Sequence, residues 1–462
     1  MAVETAQLER YLEAFTEFGK RTAHAPEWLR ELRETAFARF CAVGFPTTRD
    51  EDWRFTNISA LARTPFQLAR ESANEFTVSD LVQWRMEGAA ARMVFVDGCL
   101  EPKLSTWGAL PRGVTVNGLA KEIQHRPEIV ARHFGRYLNI DRDPFCALNT
   151  AFAEDGAFVH VGRGVVIEQP IHLLFISMSG ASPRMSHPRN LIVVEDEGQA
   201  SIVEDYVSWG EPIPAFSNAI TEFIAGGNAN VTHTLIEREH LQSYNVSTLR
   251  IQQARSASVA SHSLLLGGAL VRNNVHPVLA GDGGECLING LFIGGGRQHL
   301  DNYMLVEHAS PHCSSRQFYN GILDEHAHGV FHGRIIVHKD AQKTDAKQTN
   351  RNLLLADDAQ IDTKPQLEIY ADDVKCTHGA TIGQIEENAL FYLRSRGIDE
   401  REARRLLLEA FAGECIDRMK EGPARSYVES AVVERLLSVA NAPLLKTGDS
   451  KADRERNWEE VG

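Results

Sequence analysis

The feature that most constrains the fold is a long β-rich region with a recurring step. From Asp155 to about Tyr370, short runs of β-forming residues alternate with Gly, Asn and Asp turns, and helical periodicity is nearly absent. Comparable positions after turn signals recur at steps of 29, 28, 28 and 27 residues, at Ala200, Ala229, Ala257, Glu285 and His312. A step of this length with several strands per step is typical of the stacked coils of a β-solenoid. A large β-sandwich is the alternative, although sandwich strands need not repeat at a constant step.

Helical patterns precede this region. Apolar residues recur at helical spacing up to about residue 42, and Pro26 stands where a second helix would begin. Between about 60 and 150 the pattern is mixed. It predicts a strand over 91–98 that ends in a turn, and helices over 117–138 with a break at Pro127.

Helices are also predicted after the β-rich region. Gly397 is placed as the C′ residue of one helix, Asp399 to Glu402 resembles the capping box of the next, and a third spans about 424–439. We therefore predict a mainly β protein with α: an N-terminal helical and mixed region over 1–150, a β-solenoid core over 151–380, and a C-terminal helical domain over 381–445. The charged tail over 446–462 has few apolar residues and is predicted to be disordered.

Composition argues against several classes of function. The chain carries 48 basic and 62 acidic residues, for a formal charge of −14, which does not suit a nucleic-acid binder. No stretch of about 18 apolar residues predicts a membrane span, and the N-terminus has no apolar run typical of a secretion signal. Seven cysteines without a CxxC pair favour a reducing compartment, so we expect a cytoplasmic protein without a disulfide framework.

The most informative site candidate is the pair Cys376 and His378. If this segment is a strand, the two side chains point to the same face and could reach a shared metal. Two ligands do not complete a four-coordinate iron or zinc site, so the others would come from elsewhere in the fold or from a partner. Gly379 and Gly383 would allow another backbone to approach closely. The alternative is that the pair only packs.

Two other sets of residues invite a functional interpretation. Seven histidines fall within forty residues, and His326 and His328 could present two imidazoles on one strand face. The favoured alternative is that they line a solenoid face or sit at turns with hydrogen-bonded rings; the seven are His299, His308, His312, His326, His328, His332 and His338. Asp372 and Asp373 could serve glycoside chemistry, but adjacent strand residues face opposite ways.

Two segments resemble a known family. The run from Ile369 to Gly383, continued by Leu390 to Ile398, resembles the C-terminal signature of the SufB/SufD family of iron–sulfur cluster assembly proteins. The segment from Phe45 to Thr56 is similar to the N-terminal motif of the SufD branch. The resemblance implies a right-handed parallel β-helix flanked by helical domains. It also implies a heterodimer with SufB through the C-terminal part of the β-helix, and docking of the SufC ATPase on the C-terminal helices.

The resemblance also implies roles for individual residues. The nascent iron–sulfur cluster would form at the SufB–SufD interface, with the motif histidine, His378, as a ligand and Cys376 as its neighbour. The docking surface for SufC would include Leu390, Phe391, Tyr392, Leu393, Arg394, Ser395, Arg396 and Gly397. We therefore expect a SufD-like, non-catalytic scaffold subunit, which could form a homodimer without SufB. A reduced flavin is an expected electron source for the complex, although no flavin-binding motif is present.

The sequence is also compatible with two other functions. A polysaccharide lyase or hydrolase on a β-helix would need a carboxylate-lined groove. A purely structural subunit would hold SufB and SufC together without donating a ligand.

Overall fold

The computed structural model describes residues 2–69 and 77–440, and its core is a parallel β-solenoid. The predicted disordered tail over 446–462 lies outside the described residues. The first nine strands are β1 (Gln67–Leu68), β2 (Ala91–Val96), β3 (Cys99–Leu100), β4 (Thr106–Trp107), β5 (Val114–Gly118), β6 (Ala157–Val161), β7 (Ile171–Met178), β8 (Arg184–Ser186) and β9 (Arg189–Val194).

The remaining described strands are longer and more uniform. They are β10 (Gln199–Trp209), β11 (Ala215–Ala225), β12 (Asn230–Arg238), β13 (Tyr244–Gln253), β14 (Ser258–Leu265), β15 (Leu270–Leu279), β16 (Glu285–Gly294), β17 (His299–His308), β18 (Ser314–Leu323), β19 (His328–Val337), β20 (Asp345–Leu354), β21 (Gln360–Ile369) and β22 (Lys375–Gly383).

Helices lie at both ends of the chain. They are α1 (Ala2–Arg21), α2 (Glu27–Val43), α3 (Ser59–Arg63), α4 (Leu119–His125), α5 (Pro127–His133), α6 (Pro144–Phe152), α7 (Glu387–Ser395), α8 (Glu400–Ile416) and α9 (Pro423–Ala440), with short 3₁₀ helices at Glu51–Trp53 and Val78–Trp84.

The chain winds alternately through two sheets, which are parallel except for the antiparallel pairs β5–β6, β2–β3 and β2–β4 near the N-terminal end. The first sheet runs in the order β21-β19-β17-β15-β13-β11-β9-β6-β5, and the second runs β22-β20-β18-β16-β14-β12-β10-β7-β2-β3. Consecutive long strands therefore belong to opposite sheets, and each pairs with the strand two places further along the chain. This confirms the predicted mainly β fold with a parallel solenoid core and terminal helices, and excludes the β-sandwich.

A left-handed backbone residue marks one corner of each coil. Positive φ angles of 54° to 70° recur at Glu197, Asn228, Ser256, Gly283, His312 and Lys343. The N–H of each donates to a carbonyl of the next coil, as in Asn228 to Arg255 at 2.9 Å and His312 to Gln342 at 2.9 Å. A buried small residue follows each corner, such as Ala229 and Ala257. This stacked turn is the physical source of the sequence period.

The true step varies more than the sequence suggested. Asn230 pairs with Ser258, Ser258 with Glu285, and Glu285 with Ser314, whereas Gln199 pairs with Asn230, 31 residues later. The sequence markers at residues 229 and 257 occupy equivalent positions, but those at 200, 285 and 312 are displaced by one or two residues. The reason is that the loops between coils differ in length while the strands keep their register.

Inward-facing side chains form one continuous core inside the solenoid. Val231, Val259 and Cys286 stack in register along the second sheet and belong to this core. The outer faces carry the helices: α1, α2 and α6 pack on the first sheet around Phe216 and Leu270. The central strands have low exposure because the core covers their inner face and the helices cover their outer face.

The C-terminal helices pack on the outer face of the second sheet. Leu408 and Phe411 of α8 and Val432 of α9 join a buried cluster with strand residues such as Ile293. A buried polar network fixes α9. The carboxylate of Asp205 accepts hydrogen bonds from Arg238 Nε at 3.0 Å, Arg238 Nη2 at 2.7 Å and the Tyr427 hydroxyl at 2.6 Å. Burial raises the pKa of Asp205, but the Arg238 guanidinium and the His172 ring together outweigh burial, so the pKa is lowered overall.

The local helix signals are confirmed. Pro26 precedes α2, and Pro127 is the first residue of α5. Gly397, with φ of 89°, follows the C-cap of α7, and the Asp399 carboxylate accepts from the N–H of Glu402 at the start of α8. All seven cysteines, which lie within the described ranges, are free thiols. No helix in the described part of the chain is long and apolar enough to cross a membrane.

Candidate functional site

The solenoid ends in two strands with one unpaired edge each. Among the described strands, β22 pairs only with β20, and β21 pairs only with β19. Every residue of β22 except the half-buried Cys376 is exposed. The backbone N–H and C=O groups along these edges can therefore pair with another strand.

Cys376 and His378 lie on the inward-facing side of this last coil. They are in register with Ala346 and Gln348 of β20, both of which are buried inside the solenoid. Cys376 packs against the interior core, whereas His378 is exposed because no further coil covers it. Cys376 and His378 share one strand face, as the sequence predicts, since they are two residues apart on β22.

The electrostatics distinguish the two side chains. Burial raises the pKa of the Cys376 thiol, so near neutral pH it is protonated unless a metal displaces the proton. His378 forms no hydrogen bond with any residue in the described ranges. Within those ranges no three His, Cys, Asp or Glu side chains are grouped so that they could hold a metal ion. Within the described residues the pair therefore does not form a complete metal site.

The rim of the open end is adapted to close contact. Ile382 is 54% exposed and Tyr370 is 62% exposed, so both side chains are available for contact. At Gly379 and Gly383 an added Cβ would meet no atom within 4 Å, so another backbone has room to approach. Unpaired edges, exposed apolar side chains and two potential ligands thus coincide on one face.

The histidine-rich stretch has ordinary partners. The His328 ring meets Asp362 at 2.8 Å, the buried His308 ring meets Ser315 at 2.8 Å, and the exposed His312 meets Asp282 at 2.9 Å. His326 lies in the turn before β19, and its nearest carboxylate is that of Asp358, at 3.7 Å. The suggested shared face of His326 and His328 is therefore wrong. The hydrogen-bonded interpretation fits these residues.

Asp372 and Asp373 do not form a carboxylate pair for catalysis. Both lie in the bend before β22, and Asp373 is bound to the ammonium group of Lys343. The N–H of Lys343 also donates to the carbonyl of Asp373, at 2.7 Å. Asp373 thus closes the last stacked corner of the solenoid.

The N-terminal motif has a role that its sequence did not reveal. Trp53 lies against the first sheet with the Arg272 guanidinium 3.9 Å from its ring centre. The Thr56 hydroxyl donates to Asp301 at 2.6 Å and lies 2.9 Å from Nε2 of His299. Lys364 of β21 forms an ion pair with Glu51. An aromatic ring, a hydroxyl and one carboxylate of this motif therefore dock the N-terminal segment on the coils near the open end.

The predicted docking segment lies on the least buried helix. None of the side chains of α7 is fully buried; Leu390 and Leu393 are half-buried, and Phe391 and Tyr392 are 73% and 56% exposed. The Arg396 guanidinium lies 5.1 Å from the Tyr392 ring centre. The segment from Leu390 to Gly397 therefore offers an apolar and basic surface.

The fold and the site define a class of protein: a parallel β-solenoid whose open end carries an exposed histidine and a half-buried cysteine on one strand face. Comparison with known proteins agrees. Residues 175–411 match the SufBD core domain of the SUF iron–sulfur cluster assembly system, and residues 5–173 match the SufBD N-terminal region. The chain belongs to the SufBD family of iron–sulfur cluster assembly proteins.

Individual relatives support the SufD branch. The chain is 31% identical to the iron–sulfur cluster assembly protein SufD of Escherichia coli, over 90% of this chain and 93% of that protein. It is 27% identical to SufD of Bacillus subtilis, over 92% and 97% of the two chains. A SufBD family protein of Synechocystis is 34% identical over 90% and 93%. The resemblance seen in the two motifs is thus confirmed over most of the chain.

Proposed function

We propose that this chain is a SufD-like, non-catalytic scaffold subunit that pairs with SufB through the open end of its solenoid. The observation that carries the proposal is the coincidence of unpaired strand edges with Cys376 and His378 on one exposed face. Strands with unpaired edges favour pairing with another chain. In the absence of SufB, a second copy could occupy the same edges.

The ligand chemistry supports a site shared between subunits. A nascent iron–sulfur cluster is a cargo that must be held and then released, and it takes thiolate and imidazole ligands. His378 would supply one ligand from this chain, and SufB would supply others. Cys376 would act as a second ligand, a sulfur acceptor or a packing residue. A site divided between two subunits can open when the subunits move.

The same proposal assigns α7 to the SufC ATPase. The exposed side chains of Phe391 and Tyr392 have the aromatic character of interface anchors. The helices that follow α7 are fixed to the second sheet, so a movement of SufC could be transmitted to the open end through this rigid packing. The SufBCD complex would act in the cytoplasm.

The decisive experiment substitutes His378 in the reconstituted complex of this chain with SufB and SufC. We expect His378→Ala to leave complex formation intact on size-exclusion chromatography and to reduce cluster yield by about tenfold or more, because an iron ligand is lost. Cluster yield is measured by absorbance together with iron and sulfide content. Thr377→Ala is the matched control, since it lies on the same strand and faces the other way.

The outcomes separate the remaining alternatives. Normal cluster yield in an intact complex of His378→Ala would remove the ligand role. If the double variant of Cys376 and His378 also behaves normally, the chain is a purely structural subunit. Failure of this chain to bind SufB at all would overturn the pairing proposal.

A further inference from the structure

A buried glutamine lies directly beneath His378 inside the solenoid. Gln348 of β20 is in register with His378 of β22, and its side chain is only 1% exposed. Neighbouring strands lie about 4.8 Å apart, so side chains at paired inward positions stack on one another. Gln348 is therefore the interior side chain nearest in register to the proposed ligand.

The amide of Gln348 is fixed from below. Its Nε2 donates to Oε1 of Gln317, in the preceding coil, at 2.7 Å. Space for the amide exists because residue 333 is glycine, where an added Cβ would lie 2.2 Å from the Nε2 of Gln348. The hydrogen bond to Gln317 thus fixes the amide, and Gly333 leaves the space that it occupies.

The other arm of this amide has no partner. The Oε1 of Gln348 is buried and accepts no hydrogen bond from any residue in the described ranges. The two arms of a planar amide diverge, so with Nε2 directed at Gln317 the oxygen is not directed at that residue. A buried carbonyl oxygen without a donor is energetically unfavourable, and an imidazole N–H can satisfy it.

We propose that Gln348 is a positioning residue for His378: its Oε1, which accepts no hydrogen bond from the described residues in this structure, accepts one from a ring nitrogen when the His378 ring turns toward the interior, so that the other nitrogen presents its lone pair at the open end. Metal-binding histidines are commonly fixed by such a partner, which selects the tautomer and the ring orientation. The inference rests on the proposed function, because the freed lone pair is the one that would bind iron.

The test reads the ring of His378 in the isolated chain, without any cluster. The chain is labelled with ¹⁵N-histidine and studied by NMR at about pH 8, where a histidine of ordinary pKa is neutral. The resonances of His378 are assigned by their loss in His378→Gln. We expect a single tautomer in the wild type, a mixture of both in Gln348→Met, and a single tautomer again in Gln348→Glu, which retains an acceptor.

The matched control is Asn352→Leu. Asn352 is also buried on the inward face of β20, but it stacks beneath Ile382 rather than His378. This variant should leave the tautomer of His378 unchanged. A mixture of tautomers in the wild type would overturn the proposal even if Gln348→Met does not fold, and so would an unchanged single tautomer in a folded Gln348→Met.

A second measurement separates this inference from the proposed function. In the reconstituted complex, Gln348→Met should lower cluster yield by about tenfold, and Gln348→Glu should restore most of it. If the tautomer depends on Gln348 but His378→Ala makes clusters normally, the ligand role fails and the hydrogen bond stands. If His378→Ala abolishes clusters while Gln348→Met changes neither tautomer nor yield, only the positioning role fails.

Discussion

Thr56 connects the N-terminal motif to the solenoid through a single hydroxyl. Because this hydroxyl donates to Asp301, it can only accept from the Nε2–H of His299, which fixes the tautomer of that ring. Burial lowers the pKa of His299 to about 4, so the ring is neutral near pH 7 and has one proton to donate. Asp301 also forms an ion pair with the buried Arg272 guanidinium. One small side chain thus satisfies two buried groups on β17.

We predict that Thr56→Val destabilises the folded protein by about 1–3 kcal/mol. Valine has nearly the same shape as threonine but leaves the His299 N–H and one lone pair of Asp301 without a partner. Urea unfolding followed by circular dichroism measures the change. Thr56→Ser, which keeps the hydroxyl, should be less affected. Equal stability of the valine and serine variants would show that the hydrogen bonds contribute nothing net.

At the scale of elements, α7 differs from the helices that follow it. Helices α8 and α9 bury an apolar face against the second sheet, whereas α7 has no fully buried side chain. Its N-terminus follows β22 after a short connection, and Gly397 ends it with a left-handed residue before α8. The exposed apolar side chains of this helix form the kind of surface that marks an interaction site.

We predict that Phe391→Ala weakens binding of SufC by about tenfold or more, because an exposed aromatic anchor contributes a large share of interface energy. Isothermal titration of SufC into the complex of this chain with SufB measures the effect. Leu12→Ala is the matched control: Leu12 is 54% exposed on α1, whose buried residues pack with the first sheet. An unchanged dissociation constant for Phe391→Ala would contradict docking on α7.

At the scale of the whole molecule, burial keeps several histidines neutral. Burial lowers the pKa of His187 to about 3, and those of His262, His308 and His332 to about 4. In the unfolded chain these groups titrate near 6.5, so between pH 6.5 and 4 the unfolded state binds more protons. Stability contributed by these neutral rings is present above pH 6.5 and is lost as the pH falls. Buried carboxylates with raised pKa values, such as Glu237, act in the opposite sense.

The contribution of one buried histidine to the loss of stability at low pH can be measured by substituting that ring. His187 packs between Phe152 and Phe216, so His187→Phe suits its surroundings. Relative to its stability at pH 7.5, the wild type should lose up to about 3 kcal/mol more than this variant at pH 4. Urea unfolding at each pH measures the difference. The exposed His24→Gln should retain the wild-type pH dependence, and parallel curves for His187→Phe would contradict the prediction.

The fold was largely predictable because its signals are local. The corner of each coil needs a left-handed residue followed by a small buried one, and the pairs Asn228–Ala229 and Ser256–Ala257 show this directly in the sequence. Helix boundaries at Pro26, Pro127 and Gly397 were predictable for the same reason. The exact step was not, since the loops between coils vary while the strand register does not.

The site was only partly predictable. Residues two apart on a strand share a face, so Cys376 and His378 could be paired from the sequence. The sequence did not indicate that Cys376 is half-buried and His378 exposed, because this difference depends on which coil is the last. The buried amide of Gln348 lies thirty residues before His378, and nothing in either segment indicates that the two are stacked. Likewise, the docking of Thr56 on Asp301 joins residues 245 positions apart.

The sequence by itself determined the solenoid, its terminal helices, the family and the two ligand candidates, because turn chemistry, residue alternation and a long motif are properties of neighbouring residues. Only the tertiary structure decided that the two candidate residues lie at an open end, that the N-terminal motif docks near that end, and that α7 stays exposed. Those facts depend on which distant strands stack and which edges are left unpaired, and stacking is a relation between coils rather than between neighbours in the chain.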